Sequence, residues 1–523
     1  MCCPPHFSDM KNIITVSLLI AMYALPCFGQ DTFHKLIDLG QPVARFMSVL
    51  PTDSCFYTIG TFTDSTFRAG AFWAKVNLSG DALSMKTFSH PDWDYFNDNG
   101  DIRNTLEGHL YNVGSLNVPF STRVIFYLYD QDGDTLLTKQ YRNILYPDAD
   151  FVVPKSIYQR PEGGYAIVNV HDTDDNPENS DISLLLIDTA YQIEAYLSYA
   201  HSSKHEIPSS LLPDEDGGYI IGAERTNDGQ VLVNYDNRTL LIKVDSTGGQ
   251  VWQWLSPPGG LQDEAKAMIK TPDGGLVVAS GTGQEIGNNP NIHTLVWDGL
   301  IFKLDADRNV VWSTPFRGDL PTGGTELTEM VKAPDGSGYV ASGIFLEYIS
   351  DVEWYHTSWL VKVSPEGDSL WSRRYTYFDG EFVAPEVFDM KATPDGGYVL
   401  VGFSRNVGLP APAWIMKVDS FGCLIPGCHL PNASGEKETA TLSLAVYPNP
   451  VSDFLNFQLR GVPLAKNATF RIVNMEGRVV QEIKSANVQA TVTMPVAGWP
   501  SGAYYLQCFK EGAVICSEKF IKQ

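Results

Sequence analysis

The sequence is short of basic residues, of cysteine and, after its first thirty residues, of any long apolar segment. Its 37 Lys and Arg residues face 61 Asp and Glu residues, which leaves a formal net charge of -24. Such a surface repels nucleic acid and anionic lipid headgroups, so neither is an expected partner. Because no later segment has the length and hydrophobicity of a membrane-spanning helix, we expect no transmembrane segment in the mature chain.

The linear motifs of common enzyme classes are also missing. The chain has no G-x-S-x-G elbow, no H-E-x-x-H helix, no P-loop and no dinucleotide-binding fingerprint. These absences remove several catalytic mechanisms, but they leave carboxylate pairs that come together from distant segments, as in glycosidases. Catalytic residues therefore stay unknown at the level of sequence, and a binding protein is expected ahead of an enzyme.

An acidic turn residue returns along the chain at intervals of about 54 to 62 residues. In its clearest copies it stands in PEGGYAIV, TPDGGLVV and TPDGGYVLVG, between two short apolar strands. A unit of short β-strands with this period cannot bury its apolar face alone, so the repeat predicts an all-β fold, a seven-bladed β-propeller of four-stranded blades over residues 31–428. The seven acids are Asp53, Glu107, Glu162, Asp216, Asp273, Asp335 and Asp395.

One unit, beginning near Glu326, shows how the connections are sorted. The strands LTEMVKA, GYVASGIF, SWLVKVS and LWSRRYTY are joined by an APDGSG turn, a variable connection and a PEGD turn. Since the strands are antiparallel, both short turns must lie on one face of the propeller and the variable connections on the other. The second turn is followed by a Trp in three units, at Trp252, Trp312 and Trp371.

We expect the variable-loop face to bind an extracellular glycan or protein, because loops on a rigid scaffold usually carry binding sites. For each residue the alternative is ordinary local packing. A polysaccharide hydrolase or lyase that uses carboxylates in the propeller funnel is the second hypothesis, and a structural surface role is the third. The candidate ligand-binding residues are Trp93, Tyr95, His171, Tyr235, His293, Trp354, Tyr355, His356 and Arg405.

Four glutamates stand near the start of the innermost strand in consecutive units: Glu206, Glu264, Glu326 and Glu386. This spacing predicts a partial ring of carboxylates at the channel mouth, where calcium is the candidate ligand; no other cofactor is expected. The alternative is that each carboxylate accepts backbone hydrogen bonds from the neighbouring blade. A recurrent third-strand lysine is interpreted as having a buried stem and an exposed ammonium group. It occurs as Lys75, Lys243, Lys303, Lys362 and Lys417.

The two ends of the repeat region predict how the ring closes. Residues 1–29 have the form of a cleaved export signal, with Lys11 before the apolar run 13–25. The last unit ends before its outer strand, and residues 33–40 have the pattern of that missing strand, so we expect them to pair with the last blade. Candidate disulfides join Cys423 to Cys428 and Cys508 to Cys516.

A different pattern begins after a polar linker at residues 429–441. Residues 442–523 alternate apolar and polar residues between Pro, Asn and Gly turns, which predicts a small Ig-like β-sandwich. The segments YPNPVSDFL, VNMEGRVV, WPSGAYYL and EKFIKQ resemble the C-terminal sorting domain of the type IX secretion system of Bacteroidota, with Trp499 where Leu is usual. The resemblance implies export across both membranes, recognition by the secretion machinery, removal by a sortase-like peptidase, and a secreted or surface-attached product. The repeat region resembles the DGG-repeat propellers of such proteins, a likeness that implies fold alone.

Overall fold

The computed structural model shows only β-strands as regular elements in the described residues. Within the same residues it contains no apolar helix of membrane-spanning length. The proposed export signal and nearly all of the proposed linker lie outside them. The described ranges are 30–97, 101–145, 151–172, 180–199, 204–227, 238–257, 261–262, 264–286, 294–317, 324–350, 353–378, 381–382, 385–404, 411–429, 443–447, 449–460, 468–474, 478–485, 492–510 and 513–523.

Seven antiparallel sheets of four or five strands lie in the described part of the repeat region, and each of them is one blade of the propeller. The strand β1 (Phe33–Ile37) precedes blade 1, which contains β2 (Val43–Pro51), β3 (Cys55–Thr63), β4 (Ala69–Asn77) and β5 (Ala82–Phe88). Blade 2 contains β6 (Asp94–Phe96), β7 (Arg103–Asn104), β8 (Leu110–Val118), β9 (Ser121–Tyr129) and β10 (Thr135–Tyr141). Both β6 and β7 pair with β8, so two short strands take the place of one inner strand.

Blades 3 to 5 repeat this arrangement. Blade 3 contains β11 (Val152–Gln159), β12 (Tyr165–Asp172), β13 (Ser180–Ile187) and β14 (Ile193–Ser198). Blade 4 contains β15 (Lys204–Pro213), β16 (Tyr219–Asn227), β17 (Arg238–Val244) and β18 (Gln250–Leu255). Blade 5 contains β19 (Leu261–Gln262), β20 (Ala267–Lys270), β21 (Leu276–Ile286), β22 (Thr294–Leu304) and β23 (Val310–Phe316), with β19 and β20 sharing the inner position.

Blades 6 and 7 complete the ring. Blade 6 contains β24 (Thr325–Lys332), β25 (Tyr339–Ser350), β26 (Glu353–Val363) and β27 (Ser369–Tyr375), and it is followed by a small hairpin of β28 (Tyr377–Phe378) and β29 (Glu381–Phe382). Blade 7 takes only three strands from its own stretch of chain: β30 (Pro385–Ala392), β31 (Tyr398–Ser404) and β32 (Ala413–Val418).

The fourth strand of blade 7 comes from the start of the described chain. β1 pairs with β32 from Phe33 opposite Lys417 to Ile37 opposite Ala413. The preceding residues add hydrogen bonds to blade 7, since the side-chain amide of Gln30 donates to the Asp395 carbonyl. The predicted closure of the ring by this segment is therefore confirmed, and it leaves no free edge on β32.

The hydrophobic core consists of seven clusters, and each cluster is shared by two neighbouring blades. The cluster between blades 7 and 1 packs Phe46 and Phe72 with Val401 and Ile415. Inner strands of successive blades contact one another from blade 3 to blade 7, and β2 of blade 1 contacts β30 of blade 7. No blade has a core of its own, so each one depends on its neighbours for the burial of its apolar faces.

In blades 4 to 7 the repeated acid of the first turn forms an ion pair with the recurrent third-strand lysine of the same blade, whereas Lys75 of blade 1 pairs with Asp132 of blade 2. The Nζ atom lies 2.6 Å from Asp216 in blade 4, 2.5 Å from Asp273 in blade 5 and 2.5 Å from Asp395 in blade 7. The expectation of exposed ammonium groups is wrong for the three lysines that are buried, because their heads turn to the acid instead of water. These are Lys243, Lys362 and Lys417.

Neighbouring blades are also joined at the second turn. Each such turn has a residue with positive φ, usually glycine, and in most blades a large side chain of the preceding outer strand lies on it. A β-carbon on Gly367 would stand 2.5 Å from the Trp312 ring, one on Gly422 would stand 3.0 Å from Trp371, and one on Gly80 would stand 2.5 Å from Phe33. The recurrent Trp therefore packs between blades, and β1 supplies the equivalent ring where blade 7 meets blade 1.

The C-terminal residues form two facing sheets. Their strands are β33 (Ser443–Tyr447), β34 (Phe454–Arg460), β35 (Ala468–Asn474), β36 (Val479–Ser485), β37 (Val492–Pro495), β38 (Gly502–Lys510) and β39 (Ala513–Lys522). One sheet has the order β33-β34-β37 and the other β36-β35-β38-β39. A core that includes Phe457 and Phe470 lies between them, as expected for a small sandwich.

Of the two predicted disulfides, one is present in the structure. Cys423 and Cys428 are bonded directly after β32, where the chain leaves blade 7. Cys508 lies directly opposite Cys516 in the pairing of β38 with β39, and the bond between them stays a prediction. Cys55 is buried in the core between blades 1 and 2.

Deletion of residues 31–41 should lower the melting temperature by about 10 °C, because burial of Phe33 and Ile37 contributes several kcal/mol and each kcal/mol shifts a large domain by about 2 to 4 °C. Thermal unfolding monitored by circular dichroism measures this. Leu36→Ala is the control, since Leu36 lies in β1 but is 46% exposed, and it should change the melt little. An unchanged melt of the deletion would contradict closure by β1.

Candidate functional site

The connections between strands lie on two opposite faces of the ring. The turns between first and second strands and between third and fourth strands are short and repeat the same backbone hydrogen bonds; they form the turn face. The connections between second and third strands range from residues 119–120 in blade 2 to residues 228–237 in blade 4. The strand ends that these connections join, with the described residues 64–68 and 119–120, form the loop face, where variable segments on a fixed scaffold favour ligand binding.

A cavity of about 400 Å³ occupies the central channel and is lined by residues of all seven blades. Five inner strands contain a β-bulge at the equivalent position, and the extra residue of each bulge lines this cavity. The bulge therefore turns one additional side chain per blade into the channel. These residues are Met47, Lys155, Ser209, Thr328 and Phe388.

Five charged residues meet in this cavity and are called the channel cluster: Asp101, Arg103, Glu329, Asp389 and Lys391. They come from blades 2, 6 and 7. The Lys391 Nζ lies 2.5 Å from Asp389, 3.2 Å from Glu329 and 3.6 Å from Asp101. One ammonium group thus links three carboxylates from three blades.

Two members of the channel cluster are fixed by further contacts. The Asp389 carboxylate accepts hydrogen bonds from the Ser48 hydroxyl at 2.7 Å and the Val49 backbone N–H at 2.9 Å, across the junction of blades 7 and 1. Arg103 pairs with Asp101, and its guanidinium stacks 3.8 Å from the Tyr158 ring centroid. The cluster is therefore a preorganised part of the ring.

Two carboxyl groups of the channel cluster have pKa values that are shifted in opposite directions. Burial raises the pKa of Glu329 to about 7. The Lys391 ammonium group acts to lower this pKa, and repulsion from Asp389 and Asp101 acts to raise it. Burial acts in the same direction on Asp101, but Arg103 and Lys391 lower its pKa to about 2. Three carboxylates share two cations, so the least compensated one, Glu329, gains or loses its proton near neutral pH.

Oxygen atoms of Asp101, Glu329 and Asp389 lie within 4.8 Å of one another, a spacing that would suit a cation. The Lys391 ammonium group already lies among them, so a metal ion would have to displace it. The second group of this kind within the described residues contains Cys423, whose sulfur is in a disulfide and cannot act as a thiolate ligand.

Each of the four glutamates predicted at the channel mouth lies beside a basic side chain. Glu206 is buried and its Oε1 lies 2.5 Å from Arg225, which stands opposite it in β16. Lys266 lies 3.2 Å from Glu264 and 3.1 Å from Glu326. Glu386 pairs with His356. Charge balance at these positions comes from side chains, and calcium binding there stays a prediction.

Four of the predicted face residues have described side chains. The Trp93 ring stacks on His90 at 4.2 Å, and both Trp93 and Tyr95 pack against the core between blades 1 and 2. His171 is fully buried in β12, and burial lowers its pKa to about 4, so it is neutral at pH 7. His356 is about one fifth exposed and contacts Glu386.

The structure does not bring the other predicted face residues into a described site. Trp354 and Tyr355 lie in β26, where only their backbone is described. Tyr235, His293 and Arg405 lie outside the described residues. Binding by these five residues stays a prediction.

None of the channel-cluster residues was predicted from the sequence, although the repeat contains a signal for three of them. Asp101, Glu329 and Asp389 each stand six residues before the acid of the first turn in their blade. The repeat register therefore places them at one level of the channel. Their mutual contacts depend on the bulges and on the closure of the ring, which the register alone does not specify.

Comparison with protein families identifies the C-terminal part of the chain. Residues 445–523 match the family described as the secretion system C-terminal sorting domain. This confirms the type IX sorting domain, which directs the protein to the cell surface or the medium and implies contact with the secretion machinery. A search of curated proteins gives no match.

Solved structures with similarity to the chain include a protein of unknown function from Bacteroides caccae, with 12% identity, a TM-score of 0.32, and coverage of 55% of this chain and 86% of that one. An α-L-arabinanase from Penicillium chrysogenum has 12% identity, a TM-score of 0.40 and coverage of 62% and 93%. An endo-arabinase from Bacteroides thetaiotaomicron has 13% identity, a TM-score of 0.32 and coverage of 54% and 95%.

Glu329 should make the free energy of unfolding depend on pH. Its folded pKa of about 7 exceeds the usual value of 4.5, so its contribution to stability is complete below pH 4.5 and is lost as pH rises through 7. Relative to Glu329→Gln, the wild type should lose on the order of 2 kcal/mol between pH 5 and pH 8. Urea denaturation at both pH values measures this.

Glu326→Gln is the matched control for that experiment. Glu326 lies in the same strand, but its side chain is about half exposed and pairs with Lys266. The difference between this variant and the wild type should not change with pH in the same interval. If wild type and Glu329→Gln keep a constant difference from pH 5 to pH 8, the account of the channel cluster is wrong.

Proposed function

We propose that the exported protein is a non-enzymatic binding protein that holds an extracellular glycan on the loop face of its propeller. The observation that carries the proposal is the division of the ring into two faces. The turn face is built from repeated, internally hydrogen-bonded turns, and the strand ends joined by the connections that differ between blades lie on the loop face. A scaffold with one constant and one variable face is typical of ligand-binding propellers.

The net charge of the protein indicates which class of glycan it favours. The net charge of -24 disfavours an anionic polysaccharide, because a protein and a polysaccharide of the same sign repel each other. The channel cluster, with its own internal pairing, offers no large excess of positive charge to overcome that repulsion. A neutral polysaccharide therefore fits the protein better than a charged one.

A polysaccharide hydrolase or lyase is the second candidate. Glu329 and Asp101 favour it, because two neighbouring carboxyl groups with widely separated pKa values are suited to general acid and base catalysis. Lys391 argues against it, since its ammonium group lies within 3.6 Å of both carboxylates and takes up the space between them. Binding without cleavage is therefore the stronger proposal.

Affinity electrophoresis of the chain without its export signal, residues 30–523, through native gels cast with neutral or anionic polysaccharides tests this function. We expect retarded migration in a neutral gel, with the carbohydrate stain intact along the lane. To assign the face, a polyethylene glycol chain is attached to a cysteine introduced by Ser65→Cys on the loop face or by Glu215→Cys on the turn face. Both positions are exposed, and only the first conjugate should migrate freely.

Two outcomes would contradict the proposal. Cleared carbohydrate zones would show an enzyme and would favour the carboxyl groups of the channel cluster as its catalytic residues. Free migration of the unmodified protein in every gel would overturn glycan binding and would favour a protein partner on the same face.

A further inference from the structure

Four residues other than glycine have positive φ within the described residues, and two of them are accounted for by packing on the turn face. Arg308 occupies the usual glycine position of a second turn, and its guanidinium lies 5.2 Å from the ring centroid of Trp252. Tyr191 occupies the same position in blade 3, where its ring stacks with Tyr165 and its carbonyl accepts a hydrogen bond from Tyr141. Their backbone strain is offset by contacts between blades.

The other two residues, Phe67 and Phe120, lie on the opposite face, and their side chains are exposed instead of packed between blades. Phe67 has φ 64° in the connection between β3 and β4, and its side chain is 88% exposed. Phe120 has φ 64° in the connection between β8 and β9 and is fully exposed. Both connections join second and third strands, so both residues lie on the loop face.

The turn that holds Phe67 has direct counterparts in the same protein. The N–H of Asp64 donates to the Arg68 carbonyl, and the N–H of Phe67 donates to the Asp64 carbonyl. The second turns of the blades have the same two hydrogen bonds, and there the equivalent residue is glycine at Gly80, Gly133 and Gly248. Glycine adopts this conformation without strain, whereas a bulky side chain does not.

The turn that holds Phe120 leads to the same conclusion. Val118 pairs with Ser121, so Pro119 and Phe120 alone form the connection. Proline followed by a residue with positive φ is the pattern of a type II turn, where glycine or asparagine is usual at the second place. A phenylalanine here has an unfavourable backbone and an exposed ring at once. Neither side chain is buried, so burial does not offset the backbone strain of either residue. Strained backbone concentrates at functional sites, which makes both residues candidates for binding.

The strand β6 connects the two phenylalanine turns. The Asp94 carboxylate accepts a hydrogen bond from the Ala69 N–H at 2.9 Å and pairs with Arg68 at 3.4 Å, directly beside Phe67. The backbone of the same Asp94 pairs with Asn117, near Phe120 in the neighbouring blade. The turns are therefore held on one structural unit at the junction of blades 1 and 2.

We propose that Phe67 and Phe120 are the two aromatic platforms of one glycan-binding site on this junction, and this inference rests on the function proposed above. Aromatic rings stack on the apolar faces of sugar rings. Two separate platforms on adjacent hairpins suit successive sugars of an extended chain. Arg68 and Arg123, which hydrogen-bonds to Ser121 and Gln140, supply polar groups at the two turns.

Glycine substitution separates this proposal from a structural role. Phe67→Gly and Phe120→Gly should leave the melting temperature of the mature chain unchanged or raise it by a few degrees, because the strain is relieved. Each should weaken retention by a neutral polysaccharide about tenfold or more, and the double variant should abolish it. Phe67→Trp with Phe120→Trp should keep retention. Arg308→Gly is the control, since it relieves the same strain on the turn face and should bind like wild type.

The outcomes distinguish this inference from the function on which it rests. If the wild type is retained and the double glycine variant is retained equally, glycan binding stands and the site lies elsewhere on the loop face. If the glycine variants melt several degrees lower, the phenylalanines have a structural role and the inference is overturned. If the wild type itself migrates freely in every gel, both the function and this site are wrong.

Discussion

The pairing of β1 with β32 is the contact on which the rest of the structure depends. Each hydrophobic cluster of the propeller is shared by two blades, so an open ring would expose one cluster and leave β32 as a free edge. Closure also brings blade 1 against blade 7, where Ser48 and Val49 hold the Asp389 carboxylate. The channel cluster combines residues of blades 2, 6 and 7, and their distances are fixed only when the ring is closed.

Much of the fold could be predicted from the sequence because each copy of the repeat contains the residues that locally favour its turns and strands. Glycine recurs where a turn needs positive φ, and the missing outer strand of the last unit predicted the closure by β1. The recurrent lysine was harder to interpret, since its exposure depends on the distance to the turn acid, which a single strand does not show. Three of the predicted glutamates, Glu206, Glu326 and Glu386, were found beside basic side chains of other segments, and register between segments is not visible in the sequence of one.

The candidate sites were less predictable for two different reasons. The channel cluster arises from charges on three blades, and its composition follows from repeat register plus bulges in the inner strands. Phe67 and Phe120 are ordinary exposed residues in a sequence, and only their backbone conformation makes them unusual. Structure thus divides the propeller into a turn face, where strain is offset by packing between blades, and a loop face, where two aromatic residues have strain without packing. The sorting domain directs this surface to the outside of the cell.

Hydrogen–deuterium exchange of the mature protein, with and without a neutral polysaccharide that retains it, tests the central claim most directly. The account predicts slower exchange on binding at residues 64–68 and 118–121 of the loop face. It also predicts unchanged exchange at residues 245–249 and 305–309, which form equivalent turns on the turn face. Protection confined to the turn face, or spread equally over both faces, would contradict the account.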